Sequence, residues 1–174
     1  MLHLEKTTKN DPRLLDLMNI HYSRPKGFVG RCLCYAVLFN KDYYGYIVGG
    51  SAILLSKCRD QFFDIKARSE LRHYINNIFY HVSPINGKYP CRNFTSKVVE
   101  EWEKVVQQDW LIRYGDEVKG FETLVEPPRS GDLYKKVGYR LIGQTVGYRL
   151  RRPKGKKIYD TSDLYPKLIF CKKV

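Results

Sequence analysis

No stretch of the chain approaches the ~20 consecutive apolar residues of a membrane span. The opening MLHLEKTTKNDPR is too polar for the apolar segment of a secretory leader, so a cytosolic protein with no membrane contact is expected. Cysteine is sparse and unpaired in pattern: Cys32, Cys34, Cys58, Cys91 and Cys171 are odd in number and contain no CxxC spacing, which argues against a zinc ribbon or a redox motif. Cys32 and Cys34, two apart in an apolar run, fall on one face of a strand and fit a buried reduced pair. Acidic residues are also short, with 18 Asp and Glu against 31 Lys and Arg, a net charge of +13. That excess attracts polyanions, nucleic acid first and an anionic CoA-type cofactor second; a merely solvated basic surface is the alternative.

What is present is enough apolar material, 43% of 174 residues with 14% aromatic, for one packed core and a single domain spanning 1–174. DPRLLDLMNI, residues 11–20, has near-helical apolar spacing behind an Asp11 cap with Pro12 in the first position. Residues 31–39 and 43–55, rich in Val, Ile, Leu and Tyr, predict an antiparallel hairpin around Asn40, Lys41 and Asp42. Residues 56–74 read as loop and partial helix, with Phe62, Phe63, Ile65 and Leu71 as anchors.

INNIFYHV, 75–82, predicts a strand, and 83–90 a loop. From Asn93 to about Trp110, Val98, Val99, Trp102, Val105, Val106 and Trp110 recur at helical spacing. A strand at 121–125, a short helix at 132–137, a strand over 139–150 interrupted by Gly143 and Gly147, a basic loop and a last strand at 167–174 complete an α+β sheet domain.

A strand, a Gly/Pro loop and a helix beginning CRNFTSK form an anion site in principle, because the first turn of a helix has unpaired amides and a positive end. A plain polar cap is the other reading.

The series NNIFYHV, CRNFTSKVVEEW, FETLVEP and LYKKVGYRLIGQT resembles the core of the GNAT superfamily of acyl-CoA N-acyltransferases. The resemblance implies a mixed, mostly antiparallel sheet flanked by helices, with a strand-loop-helix cofactor site. Phe79, Tyr80, His81 and Val82 would hold the pantetheine arm of acetyl-CoA or another acyl-CoA donor, and Arg92, Asn93, Thr95, Ser96 and Lys97 its pyrophosphate. Arg92 is followed by none of the glycines usual in that family's loop. Tyr134 would protonate the departing thiolate, as a phenol of ordinary pKa ~10 can, or would simply pack under the sheet.

A narrower similarity joins HYSRPKGFVGR to WLIRYGDEVKGFETLVEPPRSGDLYKKVGYRLIGQTVGYR. In order, His21-Tyr22, Glu122 or Glu126, Gly131 with Tyr134, and Gly143 with Thr145 and Gly147 resemble the phage Mom-like family of DNA base modifiers and a related domain of Druantia-type defence and transposon-associated proteins. This implies transfer from a CoA-derived donor to an exocyclic base nitrogen, adenine N6, in DNA of a phage-infected bacterial host. The base must leave the stack for such chemistry. His21, Tyr22, Glu122, Glu126 and Tyr134 are the catalytic candidates, and His21 with Glu126 a candidate site for a divalent metal. His21 as a helix cap, Glu122 as the partner of an Arg and Glu126 as a plain strand end are the alternatives.

For DNA contact the sequence offers Arg24, Lys26 and Arg31, and the cluster Arg149, Arg151, Arg152, Lys154, Lys156 and Lys157 with Tyr148 to stack on a base. An ordinary N-acetyltransferase for a protein or small-molecule amine, and a non-catalytic DNA-binding module, are the rival readings; a monomer or homodimer fits each.

Overall fold

The computed structural model describes residues 1–23, 25–145, 149–151, 158–160 and 166–174. Its strands are β1 (Leu2–Thr7), β2 (Cys32–Phe39), β3 (Asp42–Ser51), β4 (Tyr74–Val82), β5 (Gly120–Val125), β6 (Arg140–Gln144), β7 (Arg149–Arg151), β8 (Ile158–Asp160) and β9 (Leu168–Lys173). The helices are α1 (Pro12–Ile20), α2 (Lys57–Phe63), α3 (Phe94–Tyr114) and α4 (Asp132–Lys136), with a 3₁₀ turn at Arg68–His73. Seven strands form one sheet in the order β1-β2-β3-β4-β5-β9-β6, and β7 pairs with β8 separately. Every pairing in the large sheet is antiparallel except β4 with β5. Among the described residues no helix is long and apolar enough to cross a membrane.

The two faces of the sheet bury different helices. Leu33, Tyr35, Val37, Ile47 and Ile75 share a cluster with Val98, Val99, Trp102, Val106 and Trp110 of α3, which is the helical stripe expected from spacing. Cys34, Ala36, Tyr46 and Val48 point the other way, onto Leu14 and Met18 of α1. Gly49 permits the close approach of α3: a Cβ there would lie 2.9 Å from the Trp102 ring. The start of α1 is as expected, Asp11 accepting from the Arg13 amide at 2.9 Å with Pro12 at the first position. Cys32 and Cys34 lie on the α1 side as free thiols.

Several expectations are corrected. The chain begins with a strand, β1, on the edge beside β2. Residues 52–55 leave the second hairpin strand, α3 runs on to Tyr114, and β6 stops at Gln144. The strand expected at 121–125 is β5, and Glu126 lies just beyond its end.

β4 and β5 are ladder partners only from Tyr74–Gly120 to Asn77–Thr123, after which they part. At the same level β4 has a bulge against β3, where Val48 pairs with Phe79 and Gly49 with Asn77, leaving Ile78 as the extra residue. The bulge turns Ile78 and Phe79 both toward the α1 cluster, and returns Tyr80 and Val82 to the α3 side. Two strands that pair at one end and part at the other leave a wedge in the sheet, open to both faces.

Candidate active site

A cavity of about 840 Å³ occupies this wedge. On the α3 side it is lined by Tyr80, Thr95, Gly131, Leu133 and Tyr134, and on the α1 side by His21, Tyr22, Ile53, His81, Arg129 and Lys167. Asn76, Asn77 and Thr123 form its floor at the point where the strands separate.

His21 is buried at the C-terminal end of α1, with its ring 4.2 Å from Tyr22 and 4.5 Å from Phe79. Nδ1 faces the Ser23 hydroxyl at 2.8 Å and accepts the Ser23 amide at 3.3 Å, while Nε2 lies 3.3 Å from the Tyr80 carbonyl. An amide only donates and a carbonyl only accepts, so the network assigns the proton to Nε2. Burial, followed by the charges of His81 and Arg129, outweighs the Tyr80 bond and lowers the His21 pKa to about 4. The ring is therefore neutral at physiological pH. Tyr22 lies under the Arg129 guanidinium, 3.5 Å from ring centroid to cation, and burial raises its phenol above the usual range.

The two acidic candidates separate. Glu122 is fully buried beneath the wedge, where Oε2 takes the Arg59 guanidinium at 2.7 Å and Oε1 accepts the Ile53 amide at 2.5 Å. Arg59, equally buried, also donates to the Ile53 carbonyl at 2.7 Å. Burial pushes the Glu122 carboxyl upward and Arg59 opposes that shift. Glu122 is not among the residues that line the cavity, and both its oxygens are taken, one by Arg59 and one by the Ile53 amide. Glu126 is half-buried, pairs with Lys167 at 3.2 Å, and its charge acts on both His21 and Tyr22. Among the described residues no three His, Cys, Asp or Glu side chains converge as a metal site, and His21 and Glu126 form no such cluster.

The expected donor residues also divide. Tyr80 and Val82 face α3, and the Tyr80 hydroxyl donates to the Thr95 carbonyl at 2.9 Å. Phe79 and His81 belong instead to the α1 side, because the bulge reverses the alternation before Phe79; their rings stand 4.5 and 5.7 Å from His21. Thr95 lines the cavity and Ser96 is buried, whereas Arg92, Asn93 and Lys97 are exposed. Asn93 adopts a left-handed conformation with φ 57° and its side chain does not cap α3; among the described residues no side chain accepts from the first-turn amides. Tyr134 is buried at the wedge, its hydroxyl donating to Asn77 Oδ1 at 2.6 Å.

Of the expected DNA contacts, Lys26 is exposed. Arg31 is not a free cation: it pairs with Asp116 and lies over the Tyr114 ring at 4.9 Å, tying β2 to the end of α3. Arg24, Tyr148, Arg152, Lys154, Lys156 and Lys157 lie outside the described residues, and Arg149 and Arg151 are placed only as strand residues of β7. The residues missed by sequence reasoning are Asn76, Asn77, Thr123, Arg129 and Lys167; two asparagines inside an otherwise apolar strand were the available signal.

No family model matches the chain, nor does any curated protein. Solved structures do. A GNAT family acetyltransferase from Elizabethkingia anophelis with acetyl-CoA bound superposes with a TM-score of 0.60 at 10% identity, covering 99% of this chain and 98% of that one. The aminoglycoside acetyltransferase AAC(6')-Ib in complex with coenzyme A and kanamycin gives 0.60 at 14% identity over 99% and 95%. Arabidopsis thaliana NAA60 in complex with a bisubstrate analogue gives 0.55 at 13% identity over 98% of each chain. The protein has the GNAT acetyltransferase fold: a seven-stranded, mostly antiparallel open sheet flanked by helices.

Proposed function

We propose that the protein transfers an acyl group from an acyl-CoA donor to an amine, the donor entering from the α3 side of the wedge and the amine from the α1 side. The observation that carries this reading is the cavity itself, which runs between the faces of the sheet where β4 and β5 part. Beyond Asn77 the edge of β4 that β5 covers earlier has no strand partner among the described residues, and such an edge suits pairing with the amides of an extended pantetheine arm. The uncapped amides of α3, with Arg92 and Lys97 beside them, suit its phosphates. The solved structures with acetyl-CoA or coenzyme A on the same fold support the choice of donor. CoA would supply an activated thioester; Tyr80, Val82 and Thr95 would orient it.

A finer reading takes the acceptor as the exocyclic amine of a DNA base, adenine N6 foremost. Charge favours it. The cavity wall on the α1 side carries Arg129 and Lys167, Glu126 is already paired, and the whole chain is +13. A polycationic amine is repelled by such a surface, while an amine carried on a phosphate polymer is attracted. The Arg129 guanidinium that covers Tyr22 presents a planar cation to an extruded base, and Glu126, whose charge acts on both His21 and Tyr22, would offset positive charge developing on nitrogen.

Mass spectrometry of nucleosides from DNA of expressing cells, with Glu126→Ala as control, tests the finer reading. A new nucleoside seen only with the unaltered protein is expected. Unmodified DNA alongside acetylation of aminoglycoside or peptide amines would leave the broader reading and overturn the finer one.

A further inference from the structure

The acceptor side of the cavity draws on separate stretches of the chain: His21 and Tyr22 at the end of α1, His81 on β4, Arg129 beyond β5 and Lys167 ahead of β9. Both imidazoles are neutral at physiological pH. Burial is the main reason, lowering the His81 pKa and taking that of His21 down to about 4, with His81 and Arg129 adding to the effect on His21. Lys167 is matched by Glu126 at 3.2 Å. Arg129 has no such match: among the described residues no carboxylate lies within ion-pair distance of its guanidinium, which is held over the Tyr22 ring at 3.5 Å.

The nearby carboxylates are engaged elsewhere. Glu122 is outside the lining and holds Arg59 and the Ile53 amide. Asp132, the carboxylate in the lining, pairs with Lys135 at 2.9 Å. An incoming amine therefore meets an unpaired cation, two neutral rings and no free carboxylate. An alkylamine, with a pKa of ~10.4 like that of a lysine, arrives as an ammonium. Arg129 repels it, and its nitrogen cannot attack until it sheds a proton. His21 cannot take that proton readily, because a base of pKa about 4 stands roughly six units below the ammonium, and its ring nitrogens already face the Ser23 hydroxyl and the Tyr80 carbonyl. An amine conjugated to an aromatic ring carries no extra proton at neutral pH, and its ring can lie against a guanidinium plane.

We propose that Arg129 is a specificity-determining residue that turns away protonated amines, and that the acceptor nitrogen is uncharged at neutral pH, of the class attached directly to an aromatic or heteroaromatic ring. The inference rests on the proposed transfer to an amine and narrows that amine by its basicity. Exclusion by an unpaired like charge is the repulsive half of specificity.

The test uses CoA alkylated on sulfur, which cannot transfer a group but carries an arm through the wedge. Four arms are compared by isothermal titration at pH 7: butyl, aminobutyl, aminobenzyl, and a butyl chain bearing adenine. The charged aminobutyl arm should bind roughly tenfold or more weakly than butyl, and both aromatic arms at least as tightly as butyl. Arg129→Gln, at an exposed position, should remove most of the aminobutyl deficit and leave the affinity for butyl unchanged. Tighter binding of the adenine arm than of aminobenzyl points to a nucleobase, the reverse to a smaller aromatic amine, and either supports the class. An aminobutyl arm that binds as tightly as butyl, or a deficit that survives Arg129→Gln, overturns the inference alone. CoA that binds while every arm is rejected overturns the path through the wedge and the inference with it, and failure to bind CoA itself overturns the donor reading.

Discussion

Replacing Glu122 should cost stability, because Arg59 would be left in the interior without its partner. Both side chains are fully buried, the pair is 2.7 Å apart, and the carboxylate also holds the Ile53 amide. Removing one member of a buried ion pair costs about 3–5 kcal/mol. Asp60, 2.7 Å from Arg59 Nε, still offsets part of the charge, so Glu122→Gln should fall near 3 kcal/mol, lowering the melting temperature by roughly 6–12 °C in a domain of this size. Urea unfolding followed by tryptophan fluorescence suits the measurement, since Trp102 and Trp110 are both fully buried. Pairing Glu122→Gln with Arg59→Met should recover much of the loss, with a coupling of about 2 kcal/mol or more in the double-mutant cycle. The reasoning is refuted if Glu122→Gln loses under about 1 kcal/mol while transfer activity disappears, a result that would return Glu122 to the chemistry.

Three further outcomes follow from the same geometry. The His21 pKa of about 4 against an unfolded 6.5 means that the fold favours the neutral ring. Its contribution is complete above pH ~6.5 and is lost as pH falls toward 4, up to about 3 kcal/mol; His21→Gln should flatten the stability profile in that window, and an unchanged slope would contradict the assignment. Gly131→Ala should destabilise by roughly 2–4 kcal/mol in chemical denaturation, because φ is +73° and the new Cβ would lie 2.3 Å from the Phe170 ring; a neutral effect would contradict the packing. Trp102→Ala, removing a fully buried side chain from the contact between α3 and the sheet, should cost about 3–5 kcal/mol, and a loss below about 1 kcal/mol would place the core elsewhere.

The fold was legible where one local signal sufficed. Asp11 with Pro12 marked the start of α1, the Val and Trp stripe marked α3, and the apolar runs around Asn40 marked the hairpin. β1 was missed because an edge strand reading LHLEKT is polar at alternate positions, and its register comes from β2, some thirty residues on. The site was legible only in part. Nothing in the spacing of Glu122 and Glu126 could show that Arg59 neutralises the first, since Arg59 lies in a segment with few apolar anchors. The bulge at Ile78, which puts Phe79 and His81 on the α1 face and Tyr80 on the α3 face, arises from the pairing of β4 with β3 and has no local mark.

The most direct test of the account is isothermal titration of the protein with acetyl-CoA, beside Thr95→Trp, which fills the α3 side of the cavity. The account predicts saturable one-to-one binding, weakened about tenfold or more in a folded Thr95→Trp variant. Absence of binding, or binding indifferent to Thr95→Trp, would contradict it.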